Sequence, residues 1–96
     1  MFVVSNGGHD YSQAEEFGTV VFCTDHYIRK DDISQMYREI KDSLADAMPD
    51  DYILVTSLTS MCMVATAIMT EKFGEVHLLI HSGGQYTPRD IILESQ

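Results

Sequence analysis

Apolar residues recur at spacings of three and four between positions 33 and 48, where Ile33, Met36, Tyr37, Ile40, Leu44, Ala47 and Met48 fall on one stripe. Arg38, Glu39, Lys41, Asp42 and Asp46 fall largely on the other side, so the pattern predicts an amphipathic helix over 33–48. Asp32 precedes it as a cap with Gln35 three residues on, and Pro49 forbids continuation. A second helix, from about Ser60 to Phe73 and stopped by Gly74, has a different character. Met61, Cys62, Met63, Val64, Ala65, Ala67, Ile68 and Met69 cover most of its azimuths, and only Thr66 and Thr70 break the run before Glu71. A helix apolar nearly all round needs cover on more than one side.

The remaining apolar runs have strand character. "MFVVS" stops at Asn6-Gly7-Gly8, which is turn chemistry. Residues 9–18, "HDYSQAEEFG", predict a helical turn from Ser12 to Phe17, with Ser12 as cap, Glu15 as its capping-box partner and Gly18 as the stop. "TVVFCT", residues 19–24, is β-branched and apolar on both faces, which predicts an interior strand. "YILVTSL", residues 52–58, and "VHLLIH", residues 76–81, predict two more. A tight hairpin through Gly83-Gly84 then leads into "YTPRDIIL", and Pro88 assigns that strand to a sheet edge.

Strands alternating with helices make parallel pairs joined by right-handed crossovers, and the hairpin adds an antiparallel edge. The expected fold class is α/β: a small mixed β-sheet of about five strands, two crossover helices and a C-terminal hairpin, forming a single domain over residues 1–96. Same-handed crossovers are expected to place both helices on one face, leaving the other to be covered by a second copy of the chain.

Composition narrows the function. The 96 residues are 45% hydrophobic and 22% charged, the balance of one globular domain. A formal net charge of -9 repels phosphate backbones and anionic membrane surfaces, so generic nucleic-acid and membrane partners are disfavoured. Cys23 and Cys62 have no paired spacing and read as core residues of a reducing compartment. The opening residues lack the basic flank and long apolar region of a secretion signal, and a cytoplasmic location is expected.

The first chemical candidate is the hydroxyl cluster Ser57, Thr59 and Ser60, where a parallel strand passes into a helix. Helix N-terminal amides and hydroxyls bind anions, and ligands of open α/β sheets sit outside the carboxyl ends of the strands. Thr24, Asp25 and His26 end an earlier strand at the same edge and are expected to line the other wall. The plainer reading is a helix cap, although a cap needs one hydroxyl. No Walker A lysine or glycine-rich phosphate loop is present, so P-loop chemistry is not expected.

Asp25-His26 and His9-Asp10 are adjacent pairs, and adjacent strand residues point to opposite faces. His26 acting as base for a hydroxyl nucleophile defines the enzyme alternative, but no nucleophile elbow, paired-carboxylate signature, cofactor motif or metal motif accompanies it. No cofactor and no metal are therefore expected. His77 and His81 share a strand face about 13 Å apart, too far to share an ion, and pair across the hairpin with Asp90 and Tyr86. The apolar helix is expected to form a subunit interface through Met61, Met63, Ile68 and Met69.

"NGGHDYSQAEEFG", "VVFCT", "PDDYILVTSLTSM" and "HLLIHSGGQY" together resemble short bacteriophage-encoded proteins of no assigned activity. That resemblance implies action in the host bacterial cytoplasm by binding: blocking a host protein, mimicking DNA charge or sequestering a signalling nucleotide. The glycines and polar side chains of "NGGHDYS" add His9, Asp10 and Tyr11 to the candidate site. The expected function is a homo-oligomeric binding protein for an anionic or nucleotide-like ligand. The alternatives are an acidic, DNA-mimic-like inhibitor of a host protein and a small hydrolase or nucleotide-processing enzyme using His26.

Overall fold

In the computed structural model, which describes residues 1–94, the first strand occupies the middle of the sheet. The strands are β1 (Phe2–Ser5), β2 (Val21–Thr24), β3 (Tyr52–Leu54), β4 (Glu75–Ser82) and β5 (Gln85–Ile92), and the helices are α1 (Ile33–Ser43) and α2 (Thr59–Phe73). They form one five-stranded sheet in the order β2-β1-β3-β4-β5. The first four strands are parallel, and β5 is antiparallel to β4. The expected small mixed α/β sheet with two helices and a terminal hairpin is therefore the observed fold.

The order has a consequence for the two faces. The chain leaves β1 for one neighbour, then crosses back over it to reach the other, and crossovers of one hand running in opposite directions lie on opposite faces. Phe2, Val4, Ile53 and Val76 accordingly pack under both helices, with Met36, Ile40, Ala65 and Met69 closing that core. Val3, Leu54 and Leu79 point the other way and are covered by Ala14, with Tyr11 and Phe17 beside it. The second face is thus covered by the chain's own 3₁₀ turn, Ser12–Phe17, and not by a second copy. Sequence patterning did not distinguish these covers because it does not give strand order.

Several boundaries move for local reasons. The stretch 19–24 is an edge strand, not an interior one: Val21 is 44% exposed, and only Cys23 and Thr24 of β2 are buried. Ser43 Oγ donates to Cys23 O at 2.6 Å and holds β2 under α1. Asp10, not Ser12, organises the 3₁₀ turn, its Oδ1 accepting from the Ser12 amide at 2.9 Å. Asp32 does cap α1, accepting from the Gln35 amide, but α1 ends at Ser43 and not at 48. Lys72 Nζ reaches over from α2 and donates to Leu44 O at 3.0 Å and Ala45 O at 2.8 Å, satisfying carbonyls that a longer helix would have used. β3 stops at Leu54, four residues short of the expected end, although the Val55 amide still donates to Leu79 O.

The hairpin is as expected. Ser82 opposes Gln85 across Gly83 (φ 60°) and Gly84 (φ 79°), positive angles that a type I′ turn requires. Alternation from that pair turns the Pro88 nitrogen outward, and Arg89 Nη1 donates to the outward Pro88 O at 2.7 Å. The outer edge of β5 is interrupted in its middle, which opposes growth of the sheet by strand addition.

Replacing Lys72 with methionine keeps the side chain's apolar stem and removes both donors from the end of α1. The expected result is a loss of about 1 kcal/mol of unfolding free energy, read as a lower urea midpoint at unchanged m-value. An unchanged midpoint would show that water replaces the ammonium at no cost.

Candidate functional site

Where the windings on the two faces diverge, between the carboxyl ends of β1 and β3, no crossover runs over the sheet edge and a crevice is left. A cavity of about 650 Å³ opens there on the side of the 3₁₀ turn, with His9, Asp10, Tyr11, Ser57, His81 and Tyr86 among its walls. A second hollow of about 380 Å³ lies on the helix side, lined by His26, Lys30, Thr59, Ser60 and others. Ser5, Ser57 and Leu58 line both, so the two hollows adjoin across the loop that leaves β3.

The larger cavity has aromatic walls. The His81 and Tyr86 rings lie 4.9 Å apart by centroid, and His9 and Tyr11 lie 6.1 Å apart. Burial, reinforced by the neighbouring Tyr86 phenol, pushes the Tyr11 hydroxyl above its ordinary pKa, so it is a neutral donor. The backbone amide of Ser12 holds the Asp10 carboxyl below its usual range, keeping it ionised. No lysine or arginine lines this cavity.

The smaller hollow carries the cations. His26 Nδ1 lies 3.2 Å from Tyr27 O, and Nε2 lies 2.6 Å from Glu39 Oε1. A carbonyl and a carboxylate only accept, so this geometry favours the protonated ring, with both nitrogens donating. The Glu39 hydrogen bond raises its pKa accordingly. Glu39 is in turn held low by the hydrogen bond from Gln35, whose Nε2 donates to Oε2 at 2.9 Å. A protonated ring in this arrangement has no lone pair for general-base work.

The hydroxyl cluster has been put to structural use. α2 begins after Leu58 with no side-chain cap. Ser60 Oγ donates to Lys30 O at 2.8 Å, Thr59 Oγ1 to Ser57 O at 3.3 Å, and Thr56 Oγ1 accepts from the Leu58 amide. The expected cap hydroxyl at the head of α2 is therefore absent, and the cluster instead secures the loops that form the two hollows. Thr24 is removed from the candidate wall: it is buried, and its Oγ1 donates to Val4 O at 2.9 Å, pinning β2 to β1. Asp25 is exposed and lines neither hollow, because the chain turns outward after β2. Lys30, His81 and Tyr86 are wall residues that sequence reasoning missed; the hairpin pairing of His81 with Tyr86 was a usable signal once β4 was known to lie beside β3.

The candidate interface divides similarly. Met61 and Met69 are core residues under α1 and the sheet, and Ile68 is half-buried against the same core. Only Met63 of the four is exposed, at 67%. Cys23 and Cys62 are free and buried, and burial pushes the Cys23 thiol up to about 12. No helix among the described residues is long and apolar enough to cross a membrane.

A family model described as Phage Pam3 gp32-like protein matches residues 3–93. The chain belongs to this phage protein family. The match spans all five strands except the first residue of β1, so the crevice and both helices lie within the family's extent. Comparison with curated proteins and with solved structures gave no match.

On the outer face of the family's hairpin, His77 Nδ1 lies 2.7 Å from Asp90 Oδ1 and Nε2 lies 3.5 Å from Glu75 Oε1. The Asp90 hydrogen bond raises the His77 pKa against a smaller opposing effect of burial. A pKa higher in the folded chain stabilises the fold fully below the unfolded value of about 6.5 and loses that contribution as pH rises through the raised value. His77→Gln is therefore expected to cost about 0.2–1 kcal/mol at pH 5.5 and much less at pH 9, measured by thermal melts. Equal losses at both pH values would dismiss the charged clamp.

Proposed function

We propose that this phage protein is a small-ligand binding protein that holds a nucleotide-like molecule at the crevice between β1 and β3, in a sequestering role and as a homo-oligomer. The observation that carries the reading is the pair of adjoining hollows of opposite character. The larger offers ring faces at Tyr11, His81 and Tyr86 and lies within the usual 300–1,000 Å³ range for small-ligand sites. The smaller is lined by Lys30 and by His26, whose contacts favour its protonated form, in a chain whose formal net charge is -9. A molecule with a planar ring at one end and an anionic group at the other matches both, with Ser57 between them. Asp10 favours a ring that presents hydrogen-bond donors.

Calorimetric titration with nucleosides, nucleoside monophosphates and cyclic nucleotides tests this. Binding is expected for at least one phosphorylated member, weakened about tenfold by Tyr86→Ala through loss of stacking and weakened separately by Lys30→Ala. Absence of binding by every member at high protein concentration would end the proposal. Turnover of a bound nucleotide would replace it with the enzyme reading.

A further inference from the structure

The outward ridge of α2 is formed by Thr59, Met63, Ala67 and Glu71, all exposed and spaced four residues apart. Apolar hollows flank it on both sides. One, of about 750 Å³, runs between α2 and the sheet, where Leu78 and Leu93 form its far wall. The other, of about 400 Å³, runs toward α1 and is walled by Ile33 and Tyr37. Among the described residues, Glu71 is the only charged one lining either. In a chain of net charge -9, this is a face on which two copies meet without bringing carboxylates into opposition.

The ridge is also complementary to itself. A two-fold axis passing between Met63 and Ala67 runs two copies of α2 antiparallel, so that each Met63 meets the partner's Ala67 and each Glu71 meets the partner's Thr59. The long, adaptable side chain then faces the smallest one on the ridge, twice. Each carboxylate faces the amino end of the other helix, where the amide dipoles favour negative charge and where this chain supplies no side-chain cap of its own. A stable interface hides about 800 Å² per partner, more than one ridge provides, and the flanking Ile33, Tyr37, Leu93 and the half-exposed Ile91 enlarge the contact. Pairing through the β5 edge is opposed by Pro88 and by the Arg89 contact to its carbonyl.

We infer that a second copy of this chain covers this face, through an antiparallel α2–α2 pair centred between Met63 and Ala67. The inference gives a location to the self-association in the reading above and is independent of any ligand.

Native mass spectrometry and light scattering of the ligand-free chain test it. The wild type is expected at the mass of two chains at high micromolar concentration. Met63→Glu is expected to raise the dissociation constant at least about thirtyfold while leaving the melting temperature of the dissociated chain unchanged, because Met63 supports no core. Glu71→Lys is expected to weaken the pair, and Thr59→Glu added to Glu71→Lys to restore it, because the introduced ammonium then faces a carboxylate of the partner. A single-chain mass for the wild type overturns the inference. So does a pair indifferent to Met63→Glu, which would place the contact elsewhere, or one that the charge reversal fails to restore. A failed ligand screen leaves all these masses as expected, so the two proposals fail separately.

Discussion

β1 is only four residues long, yet it is hydrogen-bonded along both edges and buried on both faces, and the remainder of the chain is arranged around meeting that demand. Phe2 and Val4 need cover on one side and Val3 on the other, each worth about 1.5–3 kcal/mol when withdrawn from water. The chain meets both needs by stepping to β2 on one side and returning across β1 to β3 on the other. With the hand of the crossover fixed, the two connections cover opposite faces. The same reversal leaves the edge above β1 and β3 uncrossed. The crevice is therefore a by-product of covering a central strand twice, and it needs no dedicated loop to create it.

Much of this was legible in the sequence where local pattern and tertiary role agree. Met36, Ile40, Leu44 and Ala47 of the expected stripe face the core as their spacing requires, whereas Ile33, Tyr37 and Met48 of the same stripe stay exposed, and Gly83-Gly84 gives the turn and register that put His77 opposite Asp90 and His81 opposite Tyr86. Two of the failures trace to the placing of neighbouring elements, which no local pattern gives. Val20, Val21 and Phe22 look like interior positions because apolar residues occupy both faces, yet β2 lies at the edge. Likewise Met61 and Met69 could not be separated from Met63 by periodicity, because an all-apolar helix shows no preferred face until its neighbours are placed. The end of α1 was set by Lys72, 28 residues distant from Leu44, a contact no local window contains.

The three candidate hydroxyls show how a sequence motif can be right about place and wrong about role. They do stand at the carboxyl end of a parallel strand and at the head of a helix. Two of the three donate to backbone carbonyls, one of them at Lys30, far along the chain. Their effect on any ligand is exerted through the walls they fix: Ser60 ties the Lys30 loop to α2, and Thr56 shapes the path between β3 and Leu58. The hollows beside them are lined by the rings of His81 and Tyr86 and by Lys30, groups that no local motif pointed to, together with His26, which the sequence did single out.

His26 and His77 are pushed toward protonation by the same means on opposite sides of the sheet. Each places both ring nitrogens against oxygen acceptors; His77 takes the cross-strand Asp90 that the hairpin register offers, whereas the main partner of His26 is not its neighbour Asp25. Asp25 follows β2 outward, whereas Glu39 rises from α1 directly beneath His26, so the carboxylate that matters is 13 residues away. An imidazolium so fixed is a poor base and a good counter-ion. On a chain with a large surplus of carboxylates, holding a proton on His26 provides a local positive field at low structural cost. Glu39 does most to favour that proton, with the Tyr27 carbonyl and the Asp25 charge adding less, so the bias comes from a few neighbours and not from the chain's total charge.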